Sequence, residues 1–196
     1  MSDTVSNEIT IKAAEIYNQE MAQGAAARFF GLDLIPGKKL SNALGGYAAM
    51  VEKDEYVLYL YDATDLGSAK DGFLLTNKRL FFKNFLQGAF FIEIGKILDI
   101  IHKPSILSPS IAVRTEPEGG MISITLSTLT GEKDGKKLVN VLNKTIAFLK
   151  NSSTASTGNT DQTLAQAQSG RAVVCKGCGA NYVTGSKICD YCGAPL

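Results

Sequence analysis

The sequence predicts a mainly β protein with helices, an α+β chain in which a small barrel or sandwich is plugged by a helix. Three observations lead to this prediction. Short strand-like segments, separated by turn residues, fill the middle of the 196-residue chain. One amphipathic helix follows them directly. A small tail then carries all four cysteines of the chain, in two Cys-x-x-Cys pairs.

The chain starts with a segment that favours a helix. Residues 5–30 contain good helix formers interrupted by Gly24, which predicts a helix from about residue 7 to residue 28. Its apolar stripe is incomplete, which indicates a helix that packs on the main domain or takes part in self-association. A membrane-surface helix is less favoured, because its polar face is poor in Lys and Arg. A second, short helix is expected at residues 39–51, after Pro36-Gly37.

Seven short strands are expected after this second helix. The clearest pair is 72–76 and 79–83, which Asn77-Lys78 joins into a hairpin, since asparagine tolerates positive φ. The full series is 55–61, 72–76, 79–83, 89–94, 97–103, 110–115 and 121–126. Alternation along the strands places most of the phenylalanines of this region in the core. They are Phe73, Phe81, Phe82, Phe85, Phe90 and Phe91.

An amphipathic helix from about Asp134 to Lys150 follows the strands, because its apolar residues recur at three- and four-residue intervals. This order of elements, together with the hairpin sequence Asp71-Gly-Phe-Leu-Leu-Thr-Asn-Lys-Arg-Leu-Phe-Phe82, resembles the pleckstrin-homology-like (PH-like) and GRAM-like domains of bacteria. The resemblance covers about residues 40–150. It implies a seven-stranded PH-like barrel of two near-orthogonal antiparallel sheets, capped at one open corner by the C-terminal helix.

Composition divides the chain into four parts. Residues 151–170 are small or polar apart from one large aliphatic side chain, and such a segment cannot pack a core. We therefore expect a flexible linker there. The predicted domains are an N-terminal helical segment at 1–30, a PH-like domain at 31–150, the linker at 151–170 and a zinc ribbon at 171–196.

The cysteine spacing predicts a structural zinc site. Cys175 and Cys178 form one chelating pair, Cys189 and Cys192 form the other, and ten residues separate the pairs. Tetrahedral zinc takes four such thiolates, and four protein ligands leave no open position for water or substrate. The segment resembles the short zinc ribbons of bacterial and archaeal proteins, with a hairpin turn expected near Gly185-Ser186. One zinc ion per chain would supply the folding free energy that so small a tail lacks.

Two other uses of the cysteines stay open. A rubredoxin-type iron site has the same four ligands. A disulfide or redox Cys-x-x-Cys is also chemically possible, although a thioredoxin-like site would place one pair after a strand of a βαβ unit. The cysteine-bearing segment is too small to contain such a unit.

The main domain carries few residues that indicate catalysis, so we expect no enzyme. His102, the one histidine, is expected to be an ordinary strand-end or surface residue and not a general base. Asp62, Asp65 and Asp71 lack the spacing of a calcium-binding EF-hand loop. We expect them to be loop residues that accept hydrogen bonds from nearby backbone N–H groups.

Charge and hydropathy restrict the partners. Residues 1–150 hold 17 basic and 17 acidic side chains, which argues against a polybasic nucleic-acid binder. Three basic residues of the ribbon, Arg171, Lys176 and Lys187, give a nucleic-acid role little support. The chain has neither the run of about 20 apolar residues that spans a membrane nor a secretory signal. Together with the paired thiolates, this predicts a cytoplasmic protein.

These observations favour a non-enzymatic interaction or adaptor protein. The PH-like domain would bind a protein or peptide partner, and the tethered ribbon would add a second contact. A homo-oligomer through the N-terminal helix or the PH-like domain is a further expectation. The alternative is a peripheral membrane or anionic-lipid sensor that uses Lys78-Arg79 and the N-terminal helix. Lys70 and Lys83 flank the same hairpin, but neighbouring aspartates favour a solvated surface of mixed charge.

Overall fold

The computed structural model describes residues 2–22, 28–105, 107–116, 120–127, 130–156, 173–174 and 181–182. The chain divides into two compact units, Met1–Ser156 and Thr157–Leu196. The first, called the main unit here, is an α+β structure with two antiparallel sheets and three helices. None of the described helices combines the length and the apolarity needed to cross a membrane.

In the described part of the main unit two helices and one short strand come first, seven strands follow in succession, and one helix comes last. Its helices are α1 (Ser2–Met21), α2 (Gly37–Leu44) and α3 (Glu132–Ser156). A five-stranded sheet has the order β1 (Phe29–Gly31), β2 (Val57–Asp62), β3 (Gly72–Thr76), β4 (Arg79–Lys83) and β5 (Ala89–Glu93). A three-stranded sheet has the order β6 (Ile97–Lys103), β7 (Ser110–Thr115) and β8 (Met121–Thr125). Among the described residues no ladder of main-chain hydrogen bonds joins the two sheets, so they do not form a closed barrel.

The main core lies between the two sheets and is completed by α1 and α3. Tyr59, at the centre of this core, is fully buried; its hydroxyl donates to the carbonyl oxygen of Ala13 at 2.7 Å and lies 2.9 Å from the Thr145 hydroxyl. One strand thereby holds both helices. The N-terminal helix is therefore part of the main unit, and its buried apolar residues, Ala13, Ile16, Tyr17 and Met21, pack in this core.

The first helix is shorter at its C-terminal end than the sequence predicts. It ends at Met21 and not near residue 28, and the chain then forms β1, a strand that the sequence did not predict. The Tyr17 hydroxyl donates to the carbonyl oxygen of Phe29 at 2.8 Å. The ring of Tyr17 covers Gly31, where a Cβ atom would lie 2.7 Å from the ring. Only glycine lets α1 approach β1 this closely.

A second, smaller core lies on the other face of the five-stranded sheet. Ala43 of α2, with Tyr47 and Ala48 after it, packs on Leu74 and Phe81. All five residues of β3 are buried because this layer covers one face and the main core the other. The predicted helix at 39–51 ends at Leu44, since a glycine pair follows it and the chain continues as turns.

The predicted β3–β4 hairpin is present, with Leu75 opposite Leu80. Its turn differs from the expected type, because Asn77 does not take positive φ. The Asn77 side-chain oxygen instead accepts a hydrogen bond from the N–H of Tyr56 at 2.8 Å. The Thr76 hydroxyl accepts from the N–H of Arg79 at 2.9 Å, so side chains close the turn.

The last helix extends beyond its predicted end. α3 continues to Ser156 and includes the first residues assigned to the linker. It covers the edge of β6, where the Asn143 side chain bonds both main-chain groups of Ile100 at 2.8 Å. The rest of the predicted linker, 157–170, lies outside the described residues.

The described residues of the second unit form a short antiparallel pair of strands, β9 (Val173–Val174) and β10 (Asn181–Tyr182). The first pair of cysteines lies between these strands in the sequence. The predicted metal ligands and the turn expected near Gly185-Ser186 lie outside the described residues. The ligands are Cys175, Cys178, Cys189 and Cys192.

Candidate functional site

Two neighbouring loops of the main unit expose large apolar side chains. The β2–β3 loop carries Leu66, which is 98% exposed, and the β4–β5 loop carries Phe85 and Leu86, which are 76% and 87% exposed. We call these three residues the apolar tip. Leu66 and Phe85 line one cavity of about 340 Å³, so the two loops are adjacent. Exposed apolar residues that lie together are a mark of interaction surfaces.

The β2–β3 loop is held from within by Asp62, which is fully buried. Its carboxylate accepts hydrogen bonds from the N–H groups of Thr64 at 3.0 Å and Ala69 at 3.1 Å, and it pairs with Lys39. Burial by itself raises the pKa of Asp62, but the hydrogen bonds from Lys39 and Thr64 outweigh burial and hold that pKa below its usual value. This confirms the predicted hydrogen bonds from backbone N–H groups to Asp62, but Asp62 is the last residue of β2 and not a loop residue.

Two cations fix the same loop through its carbonyl groups. Lys39 donates to the carbonyl oxygen of Gly67 at 2.6 Å. The Arg28 guanidinium donates to the carbonyl oxygens of Thr64 and Asp65, at 3.1 Å to the latter. The residues on both sides of Leu66 are therefore tied to the main unit.

The β4–β5 loop is held by Asn84, which is buried. Its side chain donates to the carbonyl oxygen of Ser123 at 3.0 Å and accepts from the N–H of Thr125 at 2.8 Å. It therefore bonds the outer edge of β8 as a neighbouring strand would. Leu86, two residues further on, has φ 61°, a left-handed conformation that costs a residue with a side chain about 1–2 kcal/mol.

Charges of both signs surround the apolar tip. Lys83 pairs with Asp71 at 2.8 Å, and Lys70 of the β2–β3 loop is exposed. Apart from Lys39 and the buried Asp62, which pair with each other, the cations of this region are Arg28, Lys70 and Lys83, and the anions are Asp65 and Asp71. The tip thus has a rim of nearly balanced charge.

The cations of the β3–β4 hairpin are paired with carboxylates. Lys78 lies 2.5 Å from Asp54, and the hydrogen bond between them raises the pKa of Lys78. Arg79 is bound by Glu55 and lies 3.1 Å from Glu52. These pairs reduce the positive potential that an anionic membrane would meet here.

Arg79 also has a structural role. Its side chain is 11% exposed, and its guanidinium lies 4.9 Å from the ring centroid of Phe81 and 5.1 Å from that of Phe91. It donates to the carbonyl oxygen of Met50 at 2.8 Å. Arg79 therefore joins the hairpin to the turns that follow α2.

His102 lies in β6, as predicted, but its ring is half-buried against α3. A Cβ atom on Gly135 would lie 2.2 Å from its Nε2 atom. Both ring nitrogens are buried without a hydrogen-bond partner among the described residues. Burial lowers the pKa of His102, while Glu132 opposes this shift and Lys136 adds to it. No carboxylate in the described part of the chain accepts a hydrogen bond from this ring, as one that orients a general base would.

The described residues contain no group of three or more His, Cys, Asp or Glu side chains that could hold a metal ion. The chemistry of a metal site therefore rests on the cysteine pattern. Four thiolates in two chelating pairs suit zinc, and they suit iron with the same geometry.

The sequence interpretation missed the apolar tip. The sequence places most of the six phenylalanines of this region in the core, yet Phe85, Phe90 and Phe91 are 76%, 55% and 41% exposed. The signal that could have identified Phe85 is its position beside Leu86, between Asn84 and the turn residues Gln87-Gly88. Turns lie at the surface of a protein, so two apolar residues inside a turn are expected to be exposed.

Comparison with known proteins adds no relative. No protein-family model matches the chain, and neither a curated protein nor a solved structure matches it.

Proposed function

We propose that this is a non-enzymatic interaction protein that docks a protein partner through the apolar tip. The observation that carries the proposal is the exposure of Leu66, Phe85 and Leu86 on two tightly held loops. Burial of such a side chain contributes roughly 1.5–3 kcal/mol. Because Asp62 and Asn84 already hold the loops, ordering them on binding costs little further entropy.

The charge around the tip favours a protein over an anionic membrane. An apolar centre with a polar rim of mixed sign is the usual composition of a protein interface. Membrane sensors instead place an excess of Lys and Arg beside their apolar residues. Near the tip Lys83 pairs with Asp71, and the hairpin cations Lys78 and Arg79 are paired as well.

The rest of the proposed architecture follows from the sequence. A PH-like domain is supported by the antiparallel strands β2–β5 and β6–β8 followed by α3, with β1 as an additional strand. Cys175, Cys178, Cys189 and Cys192 would hold one structural zinc ion per chain. The resulting ribbon would be a second contact for the partner, in the cytoplasm.

Crosslinking and mass spectrometry of partners captured by the full chain test the proposal. The variant Phe85→Ser with Leu86→Ser should lose the partners of the wild-type protein. Leu107→Ser is the matched control, because Leu107 is 86% exposed on the β6–β7 loop of the other sheet and should keep them. Retention of every partner by the double variant would show that the apolar tip is not the docking surface.

The lipid alternative has its own measurement. Sedimentation with anionic vesicles should leave the wild-type protein in the supernatant at physiological salt. If the wild-type protein binds the vesicles and the Phe85→Ser, Leu86→Ser variant does not, the apolar tip binds a membrane and not a protein partner. Titration with DNA and RNA at low salt should likewise give no complex, because the described surface of the main unit has no basic stripe.

A further inference from the structure

The two sheets of the main unit have four edge strands in the described part of the chain, and three of them are covered. The ring and hydroxyl of Tyr17 cover β1. Asn143 covers β6, and Asn84 covers β8 by bonding its outer main-chain groups. The fourth edge strand, β5, lines a cavity with Thr115 and Ile122 of the other sheet, but no described side chain bonds its outward main-chain groups.

The main-chain groups that β5 presents follow from its register. The N–H of Ile94 donates to the carbonyl oxygen of Lys78 at 2.8 Å. Bonded pairs alternate along an antiparallel ladder, so the main chains of Phe90 and Ile92 face β4. The N–H and carbonyl groups of Ala89, Phe91 and Glu93 therefore point away from the sheet, toward the open edge.

Apart from its short length and the charge of Glu93, the β5 edge lacks the features that prevent strands from pairing. Proteins protect such edges with proline, lysine, bulges or a covering segment. The strand Ala89-Phe-Phe-Ile-Glu93 contains neither proline nor lysine, and it pairs with β4 without a shift of register. Phe90 and Phe91 are 55% and 41% exposed. A flat edge of this kind is suited to receive another strand.

We propose that β5 pairs antiparallel with β5 of a second copy of this chain. The two-fold axis would pass through Phe91, so that Phe91 faces itself and Ala89 faces Glu93 of the other copy. The outward main-chain groups of Ala89, Phe91 and Glu93 then form the bonded pairs. Phe90 of each copy lies opposite Ile92 of the other. The two five-stranded sheets become one ten-stranded sheet.

Charge complementarity favours a second copy as the occupant. Lys83 lies opposite Ala89 across β4 and β5, on the same face of the sheet. In the proposed dimer Ala89 lies opposite Glu93 of the second copy. Lys83, Ala89 and that Glu93 are then cross-strand neighbours on one face of the sheet, with the small side chain of Ala89 between the two charged ones. The ammonium of Lys83 and that carboxylate approach each other twice by symmetry. No like charges face each other across the new pair of strands.

Self-association through β5 replaces one of the sequence-based expectations for oligomer formation. The apolar face of α1 packs in its own core and is not free to pair with another helix. The β5 edge is also distinct from the apolar tip, so the dimer and the proposed partner can be tested separately.

Sedimentation equilibrium of the full chain over a concentration series tests the dimer, with Glu93→Pro as the decisive variant. Glu93 already has φ −66°, the value that proline imposes, and its N–H points outward. The substitution therefore removes a donor from the open edge and none from the β4 ladder. It removes two interchain hydrogen bonds by symmetry and should raise the dimer Kd roughly 100-fold.

Two further variants at the same position keep the test decisive. Glu93→Ala keeps the N–H and loses only exposed ion pairs, those with Lys83 of the second copy and the one with Lys96 of its own chain, so the dimer Kd should rise less than about 10-fold. Glu93→Lys keeps an exposed, foldable surface and turns the attraction to Lys83 into repulsion, so it should weaken the dimer more than alanine does. A wild-type chain that is monomeric at every concentration overturns the proposal. So does a dimer that neither Glu93→Pro nor Glu93→Lys weakens.

Discussion

Replacement of Arg79 by alanine should destabilise the main unit far more than replacement of its neighbour Lys78. The difference comes from Glu55, whose side chain is fully buried. Its carboxylate accepts hydrogen bonds from Arg79 Nε at 2.7 Å and from the Thr76 hydroxyl at 2.8 Å. Without the guanidinium, the buried carboxylate of Glu55 keeps only the Thr76 hydroxyl, a neutral donor. Lys78 is bound by exposed carboxylates, and water replaces them readily.

The magnitude follows from the burial of both partners. Removal of one member of a buried ion pair costs about 3–5 kcal/mol. Loss of the guanidinium from Phe81 and Phe91 adds to this, by about 0.5–1 kcal/mol for each ring. We expect Arg79→Ala to lower the free energy of unfolding by roughly 4–7 kcal/mol, a large share of the stability of an ordinary domain. Lys78→Ala should stay close to the wild type.

Urea unfolding followed by far-UV circular dichroism and tyrosine fluorescence measures the difference, since the chain has seven tyrosines and no tryptophan. Arg79→Met combined with Glu55→Gln removes both charges and keeps an acceptor for Thr76, so it should recover much of the loss. The reasoning is refuted if Arg79→Ala and Lys78→Ala unfold at the same urea concentration. It is also refuted if the double variant is no more stable than Arg79→Ala. Tests of vesicle binding at this hairpin should therefore change Lys78 alone.

Two more predictions concern the histidine and the cysteines. Because burial lowers the pKa of His102 below its usual 6.5, the unfolded chain binds that proton more tightly than the folded one. The stabilisation by neutral His102 is complete above about pH 6.5 and is lost as the pH falls toward the folded pKa, by at most about 1.4 kcal/mol per pH unit. His102→Gln should remove this part of the pH dependence of the urea midpoint, and an unchanged dependence would contradict it. Elemental analysis should find about one zinc ion per full chain. Cys175→Ser should reduce the zinc content and leave the unfolding of the main unit unchanged, whereas iron or disulfides would exclude the zinc site.

Elements with strong local signals were predictable from the sequence. The β3–β4 hairpin has two apolar runs with a two-residue turn between them, and no distant contact is needed to recognise it. The apolar spacing of α3 likewise identified its buried face, including Leu138, Leu142 and Ile146. Its end at Ser156 was missed because the residues after Lys150 are small and polar, a composition typical of linkers.

Elements that depend on distant contacts were not predictable. β1 has three residues, too few for a periodic signal, and its partner Tyr61 lies far along the chain from Phe29. Its edge is covered by Tyr17, a residue that the sequence showed only as part of an incomplete helical stripe. The short helix that contains Ala43 was predicted, but its packing on the five-stranded sheet was not, because the continuous apolar run of β3 fits burial on either face.

The apolar tip reverses the usual distribution of polar and apolar residues, and this reversal is the strongest argument for its function. Asp62 and Asn84 are buried, while Leu66 and Leu86, on the loops that they hold, are exposed. For folding alone the exposed loops are unfavourable, since their apolar side chains stay in water and Leu86 has a strained backbone. The internal contacts of the main unit gain nothing from the exposed side chains. A surface that keeps them in fixed positions at this cost gains from them when a partner covers them.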